Sequence, residues 1–330
     1  MSKADIVAAI LWVGVMMYAV FGGADFGGGM WDLVAGRGER GERARALIDH
    51  SIAPVWEANH VWLIFVLVVL WTAFPPAFSA VMTTLYIPLA LAALGIVLRG
   101  SGFAFRHALP GPVRGPATRV FGISSVLTPF FMGTVVGAIA TGEVPAGGNG
   151  DPTASWIGVG PIVTGVLFVA ASAYVAAVFL VRDAGAAGDE DLERYFARRA
   201  LGMAVIAGGA ALAGVFALRA DARFVYDGLT SAGVPLVVLS AICGIGALVL
   251  LLRGVTRGIR PLAVGAVAAV VWGFFVAQHP YMLPKSLTID EAVGASATQT
   301  EVIVVFLVAG VVCVPALALL YVLSHRRALE

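Results

Sequence analysis

Apolar residues run along this chain in long unbroken blocks, without the strict alternation of half-buried strands or the single stripe of a soluble helix. Nine such blocks lie near residues 6–34, 53–74, 79–98, 118–141, 156–181, 199–218, 233–252, 261–279 and 301–324, parted by short polar or Gly/Pro breaks. Roughly 20 apolar residues in a helix cross about 30 Å of hydrocarbon. The pattern therefore predicts an all-α integral membrane protein with about nine transmembrane helices. Ser51 ahead of Pro54 reads as a helix entry, and Pro75-Pro76 as a stop that turns the chain tightly into the third span. The longest predicted loops are 99–118 and 280–300, so residues 1–330 read as a single membrane domain with no soluble appendage. The first block runs past any small-residue cleavage site into Gly, Trp and Asp, unlike a cleavable signal peptide.

Composition agrees with this picture. The chain is 60% hydrophobic and 12% charged, about half the charge of an ordinary soluble protein. A net charge of +1 gives no basic field for nucleic acid. Two cysteines, Cys243 and Cys313, both in apolar runs, offer no disulfide framework, zinc site or iron–sulfur spacing. Lys and Arg divide sharply between alternate loops. One side collects 17 (positions 37, 40, 43, 45, 99, 106, 114, 119, 182, 194, 198, 199, 253, 257, 260, 326 and 327) and the other only Lys3, Arg219, Arg223 and Lys285. Short cytoplasmic loops carry the excess of positive charge, which predicts the N-terminus outside and the C-terminus inside. The acidic stretch 183–193 reads as a solvated turn.

An ionised carboxylate inside a span is costly unless paired or hydrated, so each is a functional candidate. Most acids fall in loops or at span ends; Asp25, Glu57 and, at the inner rim, Asp32 remain. Asp25 stands in FGGADFGGG, where Gly23 and Gly27 form a small-xxx-small face for close helix approach. This is no phosphate cradle, because a nucleotide loop follows a strand and opens a soluble helix. Glu57 lies in SIAPVWEANHVWLIF, one to two turns into the second span and at a depth comparable with Asp25. At 100° per residue, Glu57, His60 and Ile64 share a face while Asn59 points nearly opposite. Asp25, Glu57 and His60 are thus candidates for proton transfer, with structural ion pairing the equal alternative. Trp56 and Trp62 bracket this stretch and are candidates to wall it from lipid. Glu-x-x-His at 57–60 lacks the second such motif that a di-iron site needs. His60 is the only histidine within a span, so a two-histidine haem has no second ligand here. The outer segment HPYMLPKSLTIDEA (279–292) is expected to fold over the bundle or against a partner. A proton-coupled secondary transporter is the competing class, though it would call for repeat symmetry and a midplane site.

GGADFGGGMWDL around Asp25, SIAPVWEANHVWLIF, the Pro75-Pro76 turn and HPYMLPKSLTIDEA together resemble subunit II of the cytochrome bd-type quinol oxidases along essentially the whole chain. The resemblance implies two four-helix bundles plus a peripheral helix. It also implies a complex in the prokaryotic inner membrane that oxidises quinol and reduces O2 to water. In that complex haem b and haem d are held by a partner, subunit I, and quinol or quinone, lipid and a small accessory subunit are further partners. By position, Asp25 matches the family's acid after the first Gly pair. Glu57 matches its acid in W-[DE]-x-N, and His60 falls where other members carry Gln. Gly23, Gly27, Trp56, Asn59 and Trp62 are the packing candidates around these acids.

Overall fold

The computed structural model describes residues 2–52, 56–108 and 114–327; residues 52, 56–58, 107, 114 and much of the chain from 314 onward are described by their backbone only. Among the described residues eight helices are long and apolar enough to cross a membrane, and a bent pair is a ninth where its two halves count as one span. The first crossing is one run of 31 residues, Lys3–Leu33. It consists of α1 (Lys3–Met17), a π-helical turn (Tyr18–Gly22) and α2 (Gly23–Leu33). Its start is fixed by a reciprocal cap: Asp5 N–H donates to Ser2 Oγ at 3.1 Å and Ser2 N–H to Asp5 Oδ2 at 2.8 Å.

An amphipathic helix, α3 (Glu39–Ile52), stands where the sequence suggested a loop, and leads to α4 (Trp56–Ala73). The Pro75-Pro76 stop is real, but it does not open the third span. The prolines occupy the first turn of a short helix, α5 (Pro75–Thr84), set at 118° to α4. The third crossing is α6 (Tyr86–Ala108), about two turns later at its start and ten residues longer at its end than the predicted 79–98. Arg99 and Arg106 are therefore helix residues, not loop residues. Then follow α7 (Arg114–Thr141), α8 (Val159–Ala186), α9 (Glu190–Asp221), the short α10 (Arg223–Leu229), α11 (Val234–Leu252), α12 (Ile259–Gln278) and, last, α14 (Ser296–Arg327). The four earlier crossings and the four later ones share an interface in which α8 packs on α2 and α7, while α14 lies against α1 and α4.

The segment after α12 covers the end of the bundle that carries the N-terminus. Strands β1 (Tyr281–Leu283) and β2 (Leu287–Thr288) pair antiparallel and lead into the four-residue α13 (Ile289–Ala292). Met282, Leu283 and Leu287 bury against Phe74, Leu85 and Val144. The Thr288 N–H, donating to Glu291 at 2.9 Å, holds the Glu291 carboxyl below its ordinary range.

The opposite end is clasped by ions. Arg43 of α3 reaches Asp189 at 2.7 Å and Asp191 at 3.0 Å, while Asp183 accepts from Ser51 at 3.0 Å and pairs with Arg260. The acidic stretch 183–193 is thus a staple between helices and not only a solvated turn.

Candidate functional site

The glycines of α2 explain how a carboxylate sits inside the bundle. A Cβ added to Gly27 would overlap the carbonyl of Ser172 on α8, and one on Gly29 would overlap Ser125 on α7. Gly23 faces Ser172 at ordinary contact distance. Helices pressed this closely close over Asp25, which is 3% exposed.

The burial is offset by a cation that the sequence did not point to. Arg99 of α6, 1% exposed, donates from Nη2 to Asp25 Oδ1 at 2.6 Å and to the Asp25 carbonyl at 3.2 Å. Its Nε donates to Ser125 Oγ at 3.1 Å, and the guanidinium lies 5.2 Å and 4.9 Å from the centres of the Phe26 and Phe121 rings. Breaking such a pair from one side leaves an uncompensated charge and typically costs about 3–5 kcal/mol.

A second rung lies two helical turns away. Arg106 pairs with Asp32, which is fully buried, and with Asp49 of α3, whose side chain is 26% exposed. Arg45 stands 3.5 Å from Asp32, and the ring of Phe121 lies 4.2 Å beneath Arg106. Asp25 and Asp32 are seven residues apart, as are Arg99 and Arg106. Two rungs with equal spacing on both strands of the ladder mean that α2 and α6 run parallel, as the first and third of consecutive crossings must. Asp32, expected at the inner rim, is an internal anchor connected through Arg106 to a carboxylate at the water boundary.

Only one oxygen of Asp25 is tied to Arg99. Its Oδ2 and the Tyr18 hydroxyl are buried with no hydrogen-bond partner among the described residues. The His60 ring packs edge-on with Tyr18 and Phe26, with centroids 6.5 Å and 6.3 Å apart. Asn59, one residue earlier and buried, donates from Nδ2 to the Phe21 carbonyl in the π turn at 3.3 Å. Asn59 and His60 thus both turn to the first crossing, while Ile64 on the predicted His60 face is 59% exposed. The side chains of Glu57 and Trp56 lie outside the described residues. Trp62 packs edge-on with Phe65, and the rings flanking His60 are Tyr18 and Phe26.

Sequence reasoning found Asp25, His60 and Asn59 but missed Arg99, Arg106, Tyr18 and Phe121. The repeated spacing of seven at 25/32 and 99/106 was the available signal. Among the described residues no group of three or more His, Cys, Asp or Glu comes together to hold a metal ion. His60 packs edge-on with Tyr18 and Phe26, and the other histidines stand in α3 (His50) or at the ends of α6, α12 and α14 (His107, His279 and His325), so their positions do not fit a bis-histidine haem.

The family described as cytochrome bd terminal oxidase subunit II matches residues 3–324. The chain belongs to this family. Among curated relatives, the putative cytochrome bd menaquinol oxidase subunit II of Bacillus subtilis is 28% identical over 128 residues, 39% of this chain and 36% of that protein. The cytochrome bd ubiquinol oxidase subunit 2 of the same organism is 34% identical over 101 residues, 31% of this chain and 28% of that protein. The cytochrome bd-I ubiquinol oxidase subunit 2 of Escherichia coli K12 is 32% identical over 109 residues, 32% and 28% of the two chains. The matched stretches thus span about a third of those relatives' length. In the bd oxidase structure from Geobacillus thermodenitrificans, a chain with 24% identity superposes with a TM-score of 0.81 over 98% of both chains. Helical architecture and the multi-pass membrane arrangement are those of the subunit II family.

Proposed function

We propose that this chain is the subunit II scaffold of a quinol-oxidising, O2-reducing complex of a prokaryotic inner membrane, and that its inner half supplies protons to that reaction. Its partner is a haem-bearing subunit I, which holds the b and d haems; quinol, lipid and a small accessory subunit complete the assembly. The N-terminus lies outside and the arginine-rich end faces the cytoplasm. Family membership supports the complex, and the placement of every histidine but His60 in α3 or at the ends of helices supports haem ligation by the partner. Protons used in the four-electron reduction of O2 enter from the cytoplasmic side while quinol protons leave outside, so charge separates without a pump.

One observation carries the proton role: Asp25 is buried with Oδ1 held by Arg99 and Oδ2 free of protein partners among the described residues. A carboxylate held in this way keeps its orientation through Oδ1 and can exchange a proton through Oδ2. Glu57 and His60, on the helix that meets this part of the first crossing, are the groups through which a proton would reach it. The Asp25–Arg99 pair also favours a second reading, in which Asp25 only neutralises Arg99 and locks α2 to α6.

The test uses Asp25→Asn and Glu57→Gln in the assembled complex, with O2 consumption and proton uptake measured per haem. Proton supply predicts uptake at least tenfold slower with haem content retained. Wild-type uptake in both variants would refute it and leave the locking role. If Asp25→Asn alone does not assemble, the double variant with Arg99→Met removes both charges together and keeps the measurement available.

A further inference from the structure

Two buried tyrosine hydroxyls lack a hydrogen-bond partner among the described residues, and their surroundings differ. Tyr174 of α8 is set apart by burial alone among the described residues. The Tyr18 hydroxyl is within electrostatic reach of both Asp25 and Arg99. Its ring lies over Gly22, where any side chain would collide with it, and meets Phe26 and His60 edge-on. Tyr18 also opens the π turn, whose Phe21 carbonyl is held by Asn59. Such turns inside α-helices recur at functional sites. Buried polar atoms without protein partners are commonly satisfied by ordered water.

From this geometry we infer that the Tyr18 hydroxyl is the next proton carrier beyond Asp25, the two linked by water in the nook between the first crossing and α4. The inference rests on the proton-supply reading and extends it. The Tyr18 backbone lies seven residues before Asp25, on the side away from the arginine-rich end, and its ring folds back over Gly22 towards Asp25, so a proton entering from that end meets Asp25 first. In the transfer, protonated Asp25 Oδ2 gives its proton to the bridging water. The water passes one of its own to the Tyr18 oxygen, and the original Tyr18 O–H proton departs towards the partner subunit. Asp25 returns to the carboxylate that Arg99 holds, and Tyr18 ends as the neutral phenol it began as. Among the described residues, the charged and titratable groups around the hydroxyl are Asp25 on its own crossing, Arg99 from α6 and His60 from α4.

The experiment compares Tyr18→Phe, Tyr174→Phe and Asp25→Asn in the complete two-subunit complex, with haem content as the measure of assembly and the rate of proton uptake during O2 reduction as the readout. Tyr18→Phe is expected to keep its haem and take up protons at least tenfold more slowly, while Tyr174→Phe behaves as wild type. Normal uptake in Tyr18→Phe with slow uptake in Asp25→Asn overturns the relay and leaves the proton-supply reading intact. Normal uptake in both removes that reading and the relay with it. Equal slowing in the two tyrosine variants also overturns the relay, since loss of packing then explains it. If Tyr18→Phe does not assemble, a fluorinated tyrosine installed at position 18 keeps the shape and makes the phenol more acidic. A changed uptake rate is then expected, and an unchanged one overturns the proposal.

Discussion

At the level of single residues, charge in the described interior is tolerated by pairing: Asp25 and Asp32 each meet a buried arginine, Arg99 or Arg106, whose guanidinium lies over aromatic rings. Asp25 was legible in the sequence because nothing else explains an acid between apolar residues and glycines. Arg99 was not, because an arginine near the end of an apolar block looks like one whose head snorkels to the interface. Only its partner distinguishes the two, and that partner is 74 residues away. The pairing has a measurable consequence. Arg99→Met leaves Asp25 unpaired and is expected to lower the stability of the complex by about 3–5 kcal/mol, and Asp25→Ala by a similar amount. The double variant should lose markedly less than the sum, because neither charge is then stranded. Thermal denaturation of the four forms checks this, and additive losses would mean that the two side chains do not act as a pair.

Among the helices, crossing segments were readable from apolar block length, and their ends were not. The boundary of α6 was set ten residues early because Arg99 and Arg106 interrupt hydropathy although they lie within the helix. The helix α3 was read as a loop because its charges dominate a short segment, although Ala44 and Ile48 bury completely. The π turn leaves no mark in composition, since it follows from packing with α4. The glycines of α2 read as a close-approach face, and a Cβ on Gly27 would overlap the Ser172 carbonyl. Gly27→Ala is accordingly expected to cost about 1–3 kcal/mol by forcing α2 away from α8. Gly208, on the exposed part of α9, has nothing within 4 Å of an added Cβ. Gly208→Ala should be neutral or stabilising by up to about 1 kcal/mol. Equal effects at both positions, in denaturation of the purified complex, would contradict the packing argument.

For the molecule as a whole, the outer surface is apolar over most of its area. Val304, Val305, Leu307, Val308, Val311 and Val312 of α14 are all more than half exposed, which suits lipid or a partner subunit and no aqueous surface. The number of crossings could be counted from the sequence because the bilayer imposes one length scale on every span. The charge asymmetry survives the structure: with Arg99 and Arg106 removed as internal anchors, fifteen basic residues still face four. The orientation proposed from it can be measured in a background with Cys243 and Cys313 replaced by Ser. A membrane-impermeant thiol reagent added to spheroplasts should label Ser2→Cys, and should label Arg257→Cys only after permeabilisation. The opposite pattern would invert the topology and with it the side from which protons are drawn.

The two-rung ladder also sets a condition on how the chain is made. Asp25 and Asp32 leave the ribosome 74 residues ahead of Arg99 and Arg106, an interval of about 4–15 s at 5–20 residues per second. For that time Asp25 has no arginine to meet it, and Asp32 has Arg45 alone. The first helix has to wait protonated, or beside the insertion machinery, until the third crossing arrives. Assembly of this subunit is therefore ordered in time, with the first helix entering lipid fully only in the company of the third.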